Sequence, residues 1–284
     1  MLIAKRNVIF HATLCLALTP IFAEAQAPAA PPTGPQFQLV TQVHFNTKAD
    51  FTIEQWKAVE KEYFDKVTAK NDLIMTSNVL VHYYSTDNSE VWFSTTYRTW
   101  EDIDKAEVKT AELEKLAWPE EATRTEFFKK RNAMYTSEHR DEIRTILPGI
   151  KQYTGTTEAV YYVRMSRMAF PEDSKKGEFT SVMNEYNANV IQKNALLKGY
   201  YPSRHLFGSD GRDFVEVFVF GSLADLENST KENEKLAKEH WPDEAKRKDF
   251  LKSMNKYFEP WHGDSIYRHV AELRKMVPVV AAAK

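Results

Sequence analysis

The segment WPEEATRTEFFKK begins at Trp118, and WPDEAKRKDFLKS begins at Trp241. Sliding the chain over itself by the 123 residues from Trp118 to Trp241 brings His82 onto His205, Asp87 onto Asp210, Asp102 onto Asp225 and Asn132 onto Asn255, without a gap. The same offset carries Glu62–Tyr63 onto Glu185–Tyr186 and Lys70–Asn71 onto Lys193–Asn194. It also places His139, Asp141 and Ile143 on His262, Asp264 and Ile266. Matches this dense mark an internal duplication. The period exceeds the roughly 20–50 residues of solenoid units, and each copy has the size of a small domain. The chain is constrained to fold as two similar modules.

Within module one, strand character over Thr41–Phe45 gives way to a helix. Thr52 is its N-cap, Gln55 closes a capping box, and Phe51 with Trp56 has the spacing of a hydrophobic staple. Trp56, Val59, Tyr63 and Val67 share one helical face. Two strands follow, over 77–84 and 91–97, around a turn at Asp87-Asn88. Thr99 and Asp102 cap a long helical region, and a last strand is predicted over 141–147. Module two repeats the order, with strands over 160–165, 200–207, 214–220 and 265–271, and a helix over 179–192. Its hairpin turn, Asp210-Gly211, has a strong two-residue signature. Proline suits a helix start and not its interior, so Pro119 and Pro242 bend the long helical region and restart it, with Glu120, Glu121, Asp243 and Glu244 at its positive end.

The β-α-β-β-α-β order is the ferredoxin-like split pattern. Two such modules in tandem resemble the dimeric α+β-barrel superfamily, with one chain supplying both halves. The predicted fold is therefore α+β: module one over 36–147, a linker over 148–156, module two over 157–273 and a tail over 274–284. The resemblance implies that no further copy is needed to close the barrel. Members of the superfamily include cofactorless monooxygenases, haem enzymes of the chlorite-dismutase kind and stress-induced barrels, and fold alone does not choose among them.

Residues 1–25 have the form of a signal peptide: Lys5 and Arg6, a mostly apolar stretch over 8–22, and small-x-small sites at Ala23-Glu24-Ala25 and Ala25-Gln26-Ala27. A Pro/Ala-rich leader follows over 26–35. The expected location is periplasmic or secreted. The apolar stretch is shorter than the ~20 residues of a transmembrane helix. The single cysteine, Cys15, lies in this segment, so a chain cut after Ala25 has no disulfide and no thiolate nucleophile. A formal net charge of −2 with no basic stripe argues against nucleic acid as a partner.

Two constellations could carry chemistry. A two-residue turn at Asp210-Gly211 sets Phe207 opposite Phe214 and His205 opposite Glu216, on one sheet face with Phe218. An imidazole beside a carboxylate in an aromatic setting suits acid–base work; the plain alternative is a hydrogen-bonded structural pair. The same geometry sets His82 opposite Phe93, so only module two has the pair. His44 matches Arg164 if the offset shortens to 120. The second constellation is His-x-Asp, His139 with Asp141 and His262 with Asp264, which either faces a site or turns the chain. Trp118 and Trp241 either wall a pocket or pack at the bend. These donors lack tight metal-ligand spacing, so no metal is assigned, and the cofactor is left unknown. Haem would need His205 or His262 as axial ligand. The expected function is binding of a small apolar or aromatic molecule in module two. The alternatives are an oxygenase-type enzyme, cofactorless or haem-dependent, with His205 as base and Glu216 orienting it, and a structural or interaction protein without a small-molecule site.

Overall fold

The structure, a computed structural model, describes Gly34 and residues 36–276. The predicted signal peptide, the predicted leader except Gly34, and residues 277–284 of the predicted tail lie outside the described residues. No helix among the described residues is long and apolar enough to cross a membrane.

Module one runs β1 (Phe37–Phe45), α1 (Ile53–Lys66), β2 (Thr76–Tyr84), β3 (Glu90–Tyr97), α2 (Glu101–Ala117), α3 (Glu121–Asn132) and β4 (Tyr135–Ile146). Module two runs β5 (Val160–Met168), α4 (Glu178–Tyr186), β6 (Leu197–Phe207), β7 (Asp213–Phe220), α5 (Leu223–His240), α6 (Glu244–Asn255) and β8 (Phe258–His269). The eight strands form one closed antiparallel barrel in the order β1-β3-β2-β8-β5-β7-β6-β4. Each module contributes four adjacent strands. Two seams join the modules: β2 to β8, with Leu80 opposite His269, and β4 to β6, with Ile146 opposite Ser203. The chain is a single-chain α+β barrel of two ferredoxin-like modules.

The helices start where the sequence marks them. Gln55 N–H donates to Thr52 Oγ1 (3.2 Å) and Thr52 N–H to Gln55 Oε1 (2.8 Å), a complete capping box. Thr99 and Asp102 reciprocate in the same way, and Ser222 accepts from Asp225 N–H. Phe45 touches both staple residues, Phe51 and Trp56. The prolines act from outside the helix. The residue before a proline is pushed out of helical conformation, and Trp118 and Trp241 end α2 and α5 at φ −134° and −114°. Each indole then stacks on a ring of the next helix, Trp118 on Phe127 at 4.0 Å and Trp241 on Phe250 at 4.1 Å. Each donates to the matching glutamate, Glu62 or Glu185, at 3.2 Å. The repeated line is a packed corner, built twice. Asn71 and Asn194, both fully buried, are a second duplicated joint: each ties the turn after its module's first helix to the next long helix, Asn71 through Ala106 and Thr110, Asn194 through Ser229 and Asn233.

Side chains alternate across every strand. Val40, Leu80, Trp92, Tyr161, Val215, Val217 and Tyr267 fill the lumen. The opposite faces pack against helices: Trp56, Val59, Val79, Val91 and Trp118 in module one, and Ile191, Leu197, Tyr200 and Phe220 in module two. The helix over 179–192 is α only to Tyr186 and continues as a π turn, Asn187–Ile191. Asn187 there donates to Gly149 O at 2.8 Å.

The β6–β7 register corrects the expected hairpin. Pro202, not His205, lies opposite Glu216, and Arg204, not Phe207, lies opposite Phe214. The cause is local. Asp210 accepts from the Arg212 backbone N–H (3.0 Å) and its guanidinium (2.9 Å), and Asp213 N–H closes onto Asp210 O at 2.9 Å. This side-chain-supported turn replaces the tight two-residue one, and Gly208, at φ +95°, takes the left-handed conformation instead of Gly211. In module one Val79, not His82, lies opposite Phe93. The offset also holds on the first strand. Arg164 lies between Glu216 and Asp264 as Thr41 lies between Phe93 and Asp141, so Thr41, not His44, is its counterpart.

Candidate functional site

Each module has a cavity between its sheet and its helices, about 450 Å³ in module one and about 510 Å³ in module two. Both fall in the roughly 300–1,000 Å³ range of small-molecule sites. Their linings are related by the duplication, yet their polar groups are arranged in opposite ways.

In module one the charge comes from the helices and is spent. Arg131 grips Glu60 with two hydrogen bonds, Nε to Oε1 at 2.8 Å and Nη2 to Oε2 at 2.9 Å. Tyr135 OH donates to Glu60 at 2.8 Å, and Trp56 N–H donates to Tyr135 OH at 2.6 Å. The Arg131 guanidinium lies over the Tyr63 ring. The duplicated positions in module two are Phe179, Met183, Met254 and Phe258. The whole network is replaced there by apolar side chains.

In module two the charge comes from the sheet. Leu39, Thr41, Ser77 and Phe93 of module one become Tyr162, Arg164, Tyr200 and Glu216. Glu216 and Arg164 line the cavity together with Phe218, Phe258, Trp261 and Met183. Tyr200 OH donates to Glu216 at 2.6 Å. Burial raises the Glu216 carboxyl above the usual range, while the Tyr200 hydroxyl and the Arg164 charge pull it down. Tyr186, also on the wall, is pushed up to about 12 by burial and by the charge of Glu216, with Arg164 opposing. Arg164 Nε is buried and makes no hydrogen bond. An unspent cationic donor beside a reluctant carboxylate, in an aromatic cavity, can hold a ligand oxygen and exchange a proton with it.

His262 is on the rim, its Nε2 3.0 Å from Asp264, and Asp264 accepts from Tyr162 OH. In module one His139 lines the cavity with Nε2 3.2 Å from Asp141, which accepts from Thr41 Oγ1 at 2.6 Å. Both His-x-Asp pairs sit inside strands, not at turns. Phe218 lines the module-two cavity; Phe214 is fully buried against Phe258 and Phe179. Phe207 lies at the barrel end, exposed, against Trp100. Trp118 and Trp241 pack at their bends. His205 and Glu216 point to opposite faces of the sheet. His205 is in the lumen wall, 3.6 Å from Glu142, and His82 bonds Ser85 at 2.8 Å. The sequence reasoning missed Arg164, Tyr162 and Tyr200. Their signal was the set of positions at which the two copies change polarity.

Among the described residues no three His, Cys, Asp or Glu side chains converge as a metal site. His262, the histidine that lines this cavity, has its Nε2 3.0 Å from Asp264, and Arg164 and Glu216 face the same space.

No family model matches the chain, and no curated protein matches it. Solved structures superpose on it to differing degrees. A candidate monooxygenase from Fusobacterium nucleatum superposes with a TM-score of 0.52 at 6% identity, over 84% of this chain and 94% of that one. A candidate monooxygenase from Lactobacillus acidophilus gives 0.49 at 5% identity, over 85% and 94%. A mutant chlorite dismutase from Candidatus Nitrospira defluvii gives 0.48 at 12% identity, over 85% and 95%. At such identities the first of these supports the α+β-barrel fold and nothing finer.

Proposed function

We propose that the chain is an exported protein that binds a small, largely aromatic molecule bearing an oxygen function in the module-two cavity. The buried, unpartnered Arg164 Nε beside Glu216 carries this reading. The ligand ring packs among Phe218, Phe258 and Trp261, and its oxygen accepts from Arg164. A second reading, oxygenase-type chemistry, is favoured by the raised Glu216 carboxyl and by the shared fold of a candidate monooxygenase. In that reading ionised Glu216 takes a proton from the ligand and Arg164 holds the oxyanion; a ring carbon of the anion adds dioxygen, the peroxide takes the proton back from Glu216, and loss of water leaves a quinone.

Titration calorimetry with 1-naphthol and its hydroxylated relatives tests the binding. Arg164→Gln is expected to weaken it about tenfold or more, since a hydrogen bond to a charged group is lost in a buried site. His205→Gln is expected to leave it unchanged. Oxygen uptake separates the readings. An enzyme loses uptake in Glu216→Gln while still binding, and its rate rises with pH as Glu216 ionises, above the ordinary carboxyl range. Binding without uptake leaves a binding protein, and absence of binding rejects both.

A further inference from the structure

The module-one cavity, about 450 Å³, offers hydroxyls where module two offers charges and rings. On its floor Thr95 lies between Leu39 and Ser77, one row from Thr41 and Phe93. Tyr97 follows on the same face of the strand, and its hydroxyl accepts from Thr95 Oγ1 at 3.0 Å. Thr68 and Thr110 line the cavity from the helical side. The duplicated positions of Thr68, Thr95 and Tyr97 are Ile191, Phe218 and Phe220. Those three hydroxyls therefore stand where module two has hydrocarbon, and Thr41 and Phe93 stand where it has Arg164 and Glu216.

Charge on this wall is already met. Arg131 is held by both oxygens of Glu60, and Asp141 accepts from Thr41 and lies 3.2 Å from His139 Nε2. An ionised ligand entering here gives up its hydration for a wall whose charges are engaged, which is costly. A ligand hydroxyl fits better, because it both donates and accepts. Ser77 and Tyr97 are 6% and 5% exposed, and burial keeps the Tyr97 phenol protonated. With its oxygen accepting from Thr95, Tyr97 has its own proton to give. Leu39 and Ile74, packed against Tyr97, supply aliphatic surface beside it, and Val43 adds more.

We propose that the module-one cavity is a second ligand site, which takes an uncharged, saturated-ring alcohol. The ligand hydroxyl accepts from Tyr97 and donates to the Ser77–Thr95 pair, and its ring lies on Phe93, Leu39 and Ile74. Ions of the same shape are refused for want of a free counter-charge. The duplication has then given one chain two sites of different character, and neither depends on the other.

The test is titration of the intact chain with 1-adamantanol, followed by calorimetry, with 1-adamantanamine and 1-adamantanecarboxylate as charged controls of the same shape. Saturable binding of the alcohol is expected. Tyr97→Phe installs the residue found at the duplicated position, removes one hydroxyl and keeps the ring; it is expected to weaken that binding about three- to tenfold. Thr95→Phe, which fills the floor, is expected to abolish it. In the wild-type chain, NMR cross-peaks from the adamantane protons to the rings of Phe93 and Tyr97 locate the ligand even if a variant fails to fold. They are expected with the alcohol and, at equal concentration, with neither ion. No saturable binding of the alcohol, equal cross-peaks from either ion, or cross-peaks to Phe218 and Trp261 instead would overturn the proposal. The 1-naphthol titration reads the module-two cavity separately, so either site can fail alone.

Discussion

Glu60 is 3% exposed, and its charge is tolerable only because Arg131 meets both of its oxygens. Removing one partner of such a pair leaves a buried charge and costs about 3–5 kcal/mol, whereas replacing both with apolar groups of similar volume is often neutral or stabilising. The duplication supplies the apolar version, Met183 and Met254. Arg131→Met alone is therefore expected to lower stability by about 3–5 kcal/mol in urea unfolding, and Glu60→Met with Arg131→Met to recover most of that loss. Residues of this kind explain what was legible in the sequence. Glu216 and Phe218 stand out by type and alternation. Arg164 does not, because an arginine in a strand is usually solvated, and only the comparison with Thr41 at a constant offset shows that it replaces an uncharged residue on a cavity floor.

At the scale of elements, caps and bends were readable and registers were not. Thr52, Thr99 and Ser222 start their helices through hydrogen bonds that span three residues, so the information is local. The β6–β7 register depends on which of two turns wins within residues 207–213, and the Asp210 side chain decides it through contacts that a turn signature does not encode. Strand β4 begins at Tyr135, six residues before its expected start, because Thr136–Asp141 is exposed and carries no apolar alternation. Pairing with β1, from Phe45–Tyr135 onward, makes it a strand. The turn itself rests on Gly208. A Cβ there would lie 2.2 Å from the Asp141 carbonyl oxygen, on backbone at φ +95°. Gly208→Ala is expected to cost about 2 kcal/mol or more and to loosen the β4–β6 seam, visible as faster amide exchange at Arg144 and Ser203.

For the whole molecule, the closed barrel was legible from the duplication, since two half-barrels in one chain have complementary edges. Which face of each sheet looks inward was not, because both faces are buried and neither shows the polar-out alternation that would mark it. The halves are unlike inside: module one brings Arg144 and Glu142 to the lumen, module two Val215, Val217 and Tyr267. Residues 36–147 and 157–273, made as separate chains and mixed, are expected to form a one-to-one complex in preference to either homodimer, since two copies of module one would set buried charges against each other. Native mass spectrometry reads the stoichiometry, and a majority of homodimers would refute the preference. The residues between β4 and β5 have a further effect. When one seam opens, the partner edge stays tethered and returns at a rate set by the tether. The barrel then closes equally well at any dilution, whereas an assembly of separate half-barrels falls apart as its concentration drops below its dissociation constant.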